Sequence, residues 1–351
     1  MNNQIRSSKY KDEFWQIIRG ICIICVILIH CKNGVEYRND STNYWNFDYW
    51  FILRQLINFP IAIFIFLSGN FINVQKVKKS TLNYIYNRIK RLFIPFMLWT
   101  SFYTLIKVIN NVEEINFIKL LFGLSSAHLY YIIVLIQLTL LTPLLIRDIQ
   151  NNKRTKFWIL ITPIYLVYLY FYMIINKKQI PFYQTYFPAW FIFYYIGLSV
   201  KINGYKFLYK NNQISISLIM CIVSFILSIF EGYMLLSLGL LESIASSQIK
   251  ISTFLYTFTL IKLIMKIKLY SQDNKIKWLK YIGDNSYGIY YVHMFWIIIS
   301  NRGLILIPSL RDILPICQFI QLIFVLSFSF FSIYIIRMII GRNLANKLFG
   351  F

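Results

Sequence analysis

An arginine and a histidine stand at the two ends of one apolar run near the N-terminus, RGICIICVILIH from Arg19 to His30. A helix rises 1.5 Å per residue with 3.6 residues per turn, so eleven steps return to nearly the same face about 16 Å further along. Neutral histidine, with a pKa of about 6.5, is the usual general base, and arginine binds phosphate or carboxylate oxygens. Almost all residues between them are Ile, Val, Leu or Cys, so we predict a functional polar stripe on an apolar helix.

Two further histidines, His128 and His293, also lie outside ordinary solvated loops. His128 opens the fourth apolar run as HLYY, where a histidine in the aromatic belt of a membrane interface is the alternative to a chemical role. His293 lies deep in the ninth run, SYGIYYVHMFW, where a buried histidine bonded to a neighbouring helix is the alternative. Because the apolar runs contain few polar groups, we keep all three histidines as candidate site residues.

A basic segment between the second and third apolar runs ends in two arginines at helical spacing, Arg88 and Arg91 in YNRIKRLFIP. Residues three apart share a helix face, and paired guanidinium groups match the oxygens of a phosphate. We therefore predict an anion site at this pair. For the lysines ahead of it, Lys76, Lys78 and Lys79, contact with anionic lipid headgroups is the alternative.

The composition predicts the elements that must position these residues. Of the 351 residues, 58% are hydrophobic and only 14% are charged, whereas soluble proteins have about 45–50% and about 25%. Apolar runs recur along the whole chain, each long enough to cross a bilayer core. We predict an all-α polytopic membrane helical bundle of about ten transmembrane helices, forming one integral membrane domain over residues 1–351 without a soluble accessory domain. The predicted spans are 14–31, 49–72, 92–110, 128–146, 157–176, 182–200, 213–231, 251–267, 282–300 and 317–340.

The formal charge of +23 comes mostly from short loops between the apolar runs, which is the pattern of cytoplasmic loops rather than of nucleic-acid binding. With the N-terminus inside, 26 of the 36 lysines and arginines fall in or beside the alternate, cytoplasmic segments. We therefore expect both termini in the cytoplasm. Arg19 is then near the cytoplasmic end of the first span, and His30 lies toward its outer end.

The five cysteines lie inside or at the ends of apolar runs and predict no disulfide framework. Cys22 and Cys25 form a CxxC pattern, but their position in a spanning helix favours small residues at a helix interface over redox or metal chemistry. The His, Cys, Asp and Glu residues show no spacing typical of metal ligands, so we expect no metal.

Four motifs, in order along the predicted spans, carry a resemblance to the membrane-bound acyltransferase family 3, the bacterial O-acyltransferases that modify surface glycans. The general form is similar to the O-acetyltransferases of enterobacterial common antigen. Asn70 and Tyr130 depart from the residues common in that family. The matching positions are Arg19 and His30; Pro60, Ser68 and Gly69, followed by Arg88, Arg91 and Pro95; His128 with the aromatic pair after Leu129, and Pro143; and Gly283, Ser286, Tyr287, Gly288, Tyr290 and His293.

The resemblance implies transfer of an acyl group, most simply acetyl, from cytoplasmic acyl-CoA to a hydroxyl of a cell-surface or lipid-linked glycan. It implies a multi-pass protein of the bacterial inner or plasma membrane, in contact with membrane lipids, with acetyl-CoA or another acyl-CoA as donor substrate and no permanently bound cofactor. His30 is the candidate general base for the acceptor hydroxyl. Arg19, Arg88 and Arg91 are candidates to hold the phosphates of CoA, and for Arg19 the alternative is to shape the pocket without touching a ligand.

The oxyanion that develops on the thioester carbonyl needs positive or hydrogen-bonding groups. Ser286, Tyr290 and His293 are candidates for this role, and the sequence does not rank them. A transporter or flippase of the same fold, which moves a small solute or acyl group without transferring it, is the alternative function. A purely structural subunit gives no reason for the polar stripe on the first helix.

Overall fold

The computed structural model describes residues 13–31, 48–112, 116–204, 213–270, 276–307, 309 and 313–351. These residues form helices and no strand, which confirms the all-α membrane fold class. The chain divides into two compact units. The first unit contains the described residues before position 36 together with those of Lys266–Phe351. The second unit contains the described residues between position 36 and Met265. The single-domain organisation stays a prediction.

The first unit contains one helix from the N-terminal region and the last helices of the chain. Helix α1 is unbroken, as the proposed stripe requires. The helices are α1 (Glu13–His30), the last turns of α12 (Ile251–Tyr270), α13 (Lys277–Asp284), α14 (Ser286–Ile305), α15 (Leu314–Ile340) and α16 (Arg342–Phe349).

Two glycines, Gly20 of α1 and Gly283 of α13, let the backbones of these helices come into close contact in the first unit. A Cβ atom at Gly283 would lie 1.8 Å from the Gln16 carbonyl oxygen, and one at Gly20 would lie 2.3 Å from the Leu279 carbonyl oxygen. No larger residue fits at these positions without displacing backbone. Small residues of this kind allow apolar helices to gain van der Waals contact, which drives association in lipid.

The second unit contains the remaining helices. The helices are α2 (Tyr49–Leu56), α3 (Pro60–Asn70), α4 (Val74–Lys79), α5 (Thr81–Ile109), α6 (Phe117–Leu121), α7 (Tyr130–Gln150), α8 (Thr155–Asn176), α9 (Phe191–Asn203), α10 (Ile214–Ser237), α11 (Glu242–Ala245) and the greater part of α12.

The second predicted span is two helices rather than one. Proline has no N–H and clashes with the preceding turn, and the chain leaves the helix at Ile57 and begins α3 at Pro60. The Asn58 side chain in the break donates to the Ser246 carbonyl oxygen at 3.1 Å. Further along, α3 packs on α9 through Gly69 and Gly197, where a Cβ atom at Gly69 would lie 2.4 Å from the Tyr194 carbonyl oxygen.

Every predicted span coincides with a helix or helix pair, but the sixth begins later than expected. Residues 182–190 form two short 3-10 segments, Tyr183–Thr185 and Phe187–Ala189, before α9 starts at Phe191. With 13 residues, α9 is only about 20 Å long and is shorter than a hydrocarbon core of about 30 Å. Among the described residues, seven segments are long and apolar enough to cross a membrane, so the count of ten crossings stays a prediction.

Candidate active site

In the first unit, two helices bring two histidine rings together. His30 is the last residue of α1, and His293 lies in the middle of α14. Their ring centroids are 5.5 Å apart with an interplanar angle of 45°. His30 is half-buried whereas His293 is fully buried. Of the two, His30 is therefore the ring that a substrate can reach.

The backbone of α14 determines which nitrogen of His293 carries the proton. The Nδ1 atom lies 2.7 Å from the Tyr290 carbonyl oxygen and 3.2 Å from the Ile289 carbonyl oxygen. A carbonyl only accepts, so Nδ1 must be the donor, and in the neutral ring Nε2 is then the basic nitrogen. Through Nδ1, His293 is thus bonded to the backbone of its own helix.

The two oxyanion candidates on α14 lie at different distances along the helix from His293. The Tyr290 ring is one turn away, with its centroid 6.1 Å from that of His293. Ser286 is buried in the first turn of α14, seven residues before His293, which corresponds to about 10 Å along the axis. Tyr290 is therefore near the histidine pair, and Ser286 is not in contact with it.

Arg19 lies on α1 eleven residues before His30 and is half-buried. Its Nη1 donates to the Gln16 side-chain oxygen at 3.3 Å. Gln16 is also the residue whose backbone meets Gly283 of α13. The structure thus places Arg19 beside the α1–α13 contact, whereas the histidine pair forms where α1 meets α14.

In the second unit, the predicted arginine pair lines an open cleft of about 760 Å³. Arg88 donates to the Tyr84 hydroxyl at 2.8 Å and to the Ser68 carbonyl oxygen at 3.2 Å. Arg91 is exposed on the same face of α5. Lysines of α4 complete a positively charged wall. The cleft is lined by Phe71, Asn73, Lys76, Lys79, Ser80, Asn83, Tyr84, Asn87, Arg88 and Arg91.

His128 belongs to the second unit and precedes α7. It is buried, with 4% of its surface exposed. Its Nδ1 lies 2.9 Å from the Ser126 hydroxyl, and its ring packs edge-on against Tyr103 with centroids 5.5 Å apart. These contacts are those of a packed histidine, and within this unit the residue belongs to the region before α7 and not to the Arg88 cleft.

Two cations escaped the sequence analysis, Arg54 of α2 and Lys250 before α12. Lys250 is 1% exposed, and its Nζ donates to the Gln55 side-chain oxygen at 2.8 Å and to the Ser228 carbonyl oxygen at 3.0 Å. Burial lowers the pKa of Lys250 to about 7. The sequence feature that could have pointed to both residues is a charged side chain inside or beside an apolar run. Among the described residues, no group of three or more His, Cys, Asp or Glu side chains is arranged to hold a metal ion.

These features define an all-helical membrane protein. One of its units contains a histidine pair, and the other contains a basic cleft. The family model of the acyltransferase domain, acyltransferase family 3, matches residues 12–340. The chain therefore belongs to acyltransferase family 3, and it is a multi-pass membrane acyltransferase. No curated protein and no solved structure matches the chain.

Proposed function

We propose that the protein is an O-acyltransferase that moves an acyl group, most simply acetyl, from cytoplasmic acyl-CoA to a hydroxyl of a cell-surface or lipid-linked glycan. The observation that carries the proposal is the pair of His30 and His293, one ring accessible and the other held by the backbone of α14. Family membership supports acyl transfer. The proposed location is the inner or plasma membrane of a bacterial cell.

In the proposed reaction, His30 accepts the proton of the acceptor hydroxyl while the oxygen attacks the thioester carbonyl. The tetrahedral intermediate then collapses, the C–S bond breaks, and the proton passes from His30 to the departing CoA thiolate. His293 is a positioning residue for His30, because its ring packs against His30 and its own orientation is held by the Tyr290 carbonyl. The Tyr290 hydroxyl is the nearer of the two hydroxyl candidates for the developing oxyanion.

The donor is proposed to bind its phosphates in the Arg88 cleft. CoA carries phosphate groups whose oxygens match guanidinium and ammonium donors. The cleft offers two arginines and two lysines, Lys76 and Lys79, in a volume of about 760 Å³. A basic cleft of this size also suits lipid headgroups, so donor binding must be measured directly.

Acyl-CoA labelled in the acyl carbon tests the proposal. We expect the full-length protein, reconstituted in vesicles and mixed with a glycolipid extract of its host, to release free CoA thiol and to move label into the glycan fraction. His30→Gln should reduce both signals by about 10²- to 10⁴-fold. Label that crosses the membrane as free acyl without joining an acceptor would identify a carrier instead. The absence of any CoA release would overturn the proposed donor.

A further inference from the structure

A second polar cluster lies at the end of the second unit opposite the Arg88 cleft. Its members are Arg54, Gln55, Tyr130, Tyr183 and Lys250, called the Arg54 cluster below. They come from the last turn of α2, the start of α7, the segment before α9 and the residue before α12. Since α5 leads away from the cleft and α7 begins after it, Tyr130 lies at the far end.

Arg54 has an unsatisfied donor in this cluster. Its Nη1 atom is fully buried and has no hydrogen-bond partner, although the residue as a whole is half-buried and remains accessible. Glu242 acts on Arg54 electrostatically without a hydrogen bond to Nη1. A guanidinium stays charged in proteins, and a buried charged donor without an acceptor is costly. An acceptor supplied by a ligand would remove that cost.

The neighbouring acceptors are already engaged. The Gln55 side-chain oxygen accepts from Lys250 at 2.8 Å and from the Ser228 hydroxyl at 3.1 Å. The Glu231 carboxylate accepts from the Ser252 backbone N–H at 2.8 Å and from the Tyr170 hydroxyl. A second buried cation, Lys250, is within electrostatic range of Arg54. These acceptors are therefore taken by other donors, and Arg54 Nη1 keeps an open hydrogen-bonding position.

An aromatic surface borders the arginine. The Tyr130 ring stacks on Trp190, with centroids 6.1 Å apart and an interplanar angle of 18°. Trp190 is buried, whereas Tyr130 is half-buried. Tyr130 and Tyr183 are both within electrostatic range of Arg54. An aromatic ring packs well against the apolar face of a sugar ring, and its polar tip still hydrogen-bonds.

We propose that the Arg54 cluster is a binding site for an oxyanion of the acceptor, in which the Arg54 guanidinium binds a carboxylate or phosphate while Tyr130 packs against the adjoining sugar or lipid group. This inference rests on the proposed function, because the oxyanion belongs to the acceptor. Two sources share this chemistry, namely the carboxylate of an acidic sugar and the phosphate of a lipid carrier. Planar guanidinium groups bind both in a bidentate manner.

Binding to the full-length protein in nanodiscs of zwitterionic lipid, without acyl-CoA, tests the site. The probes are an oligogalacturonate and a polyprenyl phosphate, each paired with its neutral counterpart, a galactose oligosaccharide and a polyprenol. We expect one of the two anionic probes to bind at least 10-fold more tightly than its neutral counterpart, and the arm that responds identifies the source. Equal affinity within both pairs would overturn the proposal.

Three variants link the binding to Arg54. Arg54→Gln should reduce the preference for the anionic probe at least 10-fold, Arg54→Lys should retain part of it, and Lys178→Gln, an exposed cation in the loop after α8, should leave it unchanged. Unchanged preference in a folded Arg54→Gln protein would also overturn the proposal. If Arg54→Gln fails to fold, a reduced preference in Arg54→Lys with a normal unfolding temperature supports the site, and an undiminished preference counts against it.

Release of CoA thiol separates this inference from the proposed function. Wild-type protein that binds the anionic probe but releases no CoA in any acceptor mixture would leave the oxyanion site standing and overturn the acyltransferase reaction. Protein that transfers label equally well to neutral and acidic acceptors, and does so equally in Arg54→Gln, would leave the reaction standing and overturn the oxyanion site.

Discussion

At the scale of single residues, the histidine pair has an unequal arrangement that suggests unequal roles. His293 is fully buried and its Nδ1 donates to the backbone of its own helix. His30 is half-buried and has the more accessible ring. A general base must lie within hydrogen-bond reach of the proton that it removes. We therefore propose contact with substrate for His30 and an orienting role for His293.

His30→Gln is expected to reduce the acyl-transfer rate by about 10²- to 10⁴-fold, because that is the usual contribution of a positioned general base. The rate is measured at saturating acyl-CoA, with detergent-extracted yield as the control for insertion. His293→Gln should give a smaller loss and a changed pH profile, since it disturbs the orientation of the base rather than the proton transfer itself. A His30→Gln protein with the wild-type rate would refute the assignment.

In the basic cleft, Arg91→Gln is expected to weaken acyl-CoA binding roughly 10-fold, as a charge-assisted hydrogen bond contributes about 1.5–3 kcal/mol. Arg88→Gln should weaken binding as well, but it also removes bonds to Tyr84 and Ser68, so the exposed Arg91 is the cleaner probe. Titration with a non-hydrolysable acyl-CoA analogue measures the effect. The matched control is Lys153→Gln, an exposed cation between α7 and α8, and equal effects in both variants would contradict a specific site.

At the scale of helices, glycines and prolines determine where the backbone meets and where it breaks. Gly20 and Gly283 join α1 to α13, and Gly69 and Gly197 join α3 to α9. Pro60 divides the second predicted span because it cannot continue the hydrogen-bonded ladder. Asn285 stands at the N-cap position of α14, but its side chain donates to the Tyr281 carbonyl oxygen and does not cap the helix.

Gly283→Ala is expected to destabilise the protein, because its methyl group would lie 1.8 Å from the Gln16 carbonyl oxygen and would push α13 away from α1. Overpacking of this kind costs about 1–3 kcal/mol. Thermal unfolding in detergent measures the effect. Gly303→Ala in α14 is the matched control, since nothing lies within 4 Å of its added Cβ atom. A similar unfolding temperature for both variants would show that the close approach is not tight in solution.

At the scale of the whole molecule, the charge pattern makes a prediction about orientation that the helices alone do not test. The 22-residue helix α8 is about 33 Å long and can cross a bilayer core. Exposed lysines lie in the loops at its two ends, Lys153 and Lys178. The excess of Lys and Arg in cytoplasmic loops places the first of these inside.

Lys153→Cys is expected to react with a membrane-impermeant thiol reagent only after the cells are opened, whereas Lys178→Cys should react in intact cells. The five native cysteines are all buried, so the background labelling should be low. The reverse pattern would invert the whole topology and would place both the proposed donor cleft and the proposed acceptor site on the wrong sides of the membrane.

By itself, the sequence determined the fold class, because long apolar runs in a membrane must satisfy their backbone hydrogen bonds within helices. It also determined the family, because the order and spacing of the motif residues can be read directly along the chain. It also indicated that Arg88 and Arg91 share a face, since three residues nearly complete a turn. Only the tertiary structure showed that His293 meets His30, because helices 263 positions apart in sequence pack side by side. The unsatisfied Arg54 was likewise invisible in the sequence, since hydrogen-bond partners depend on neighbours that folding brings together.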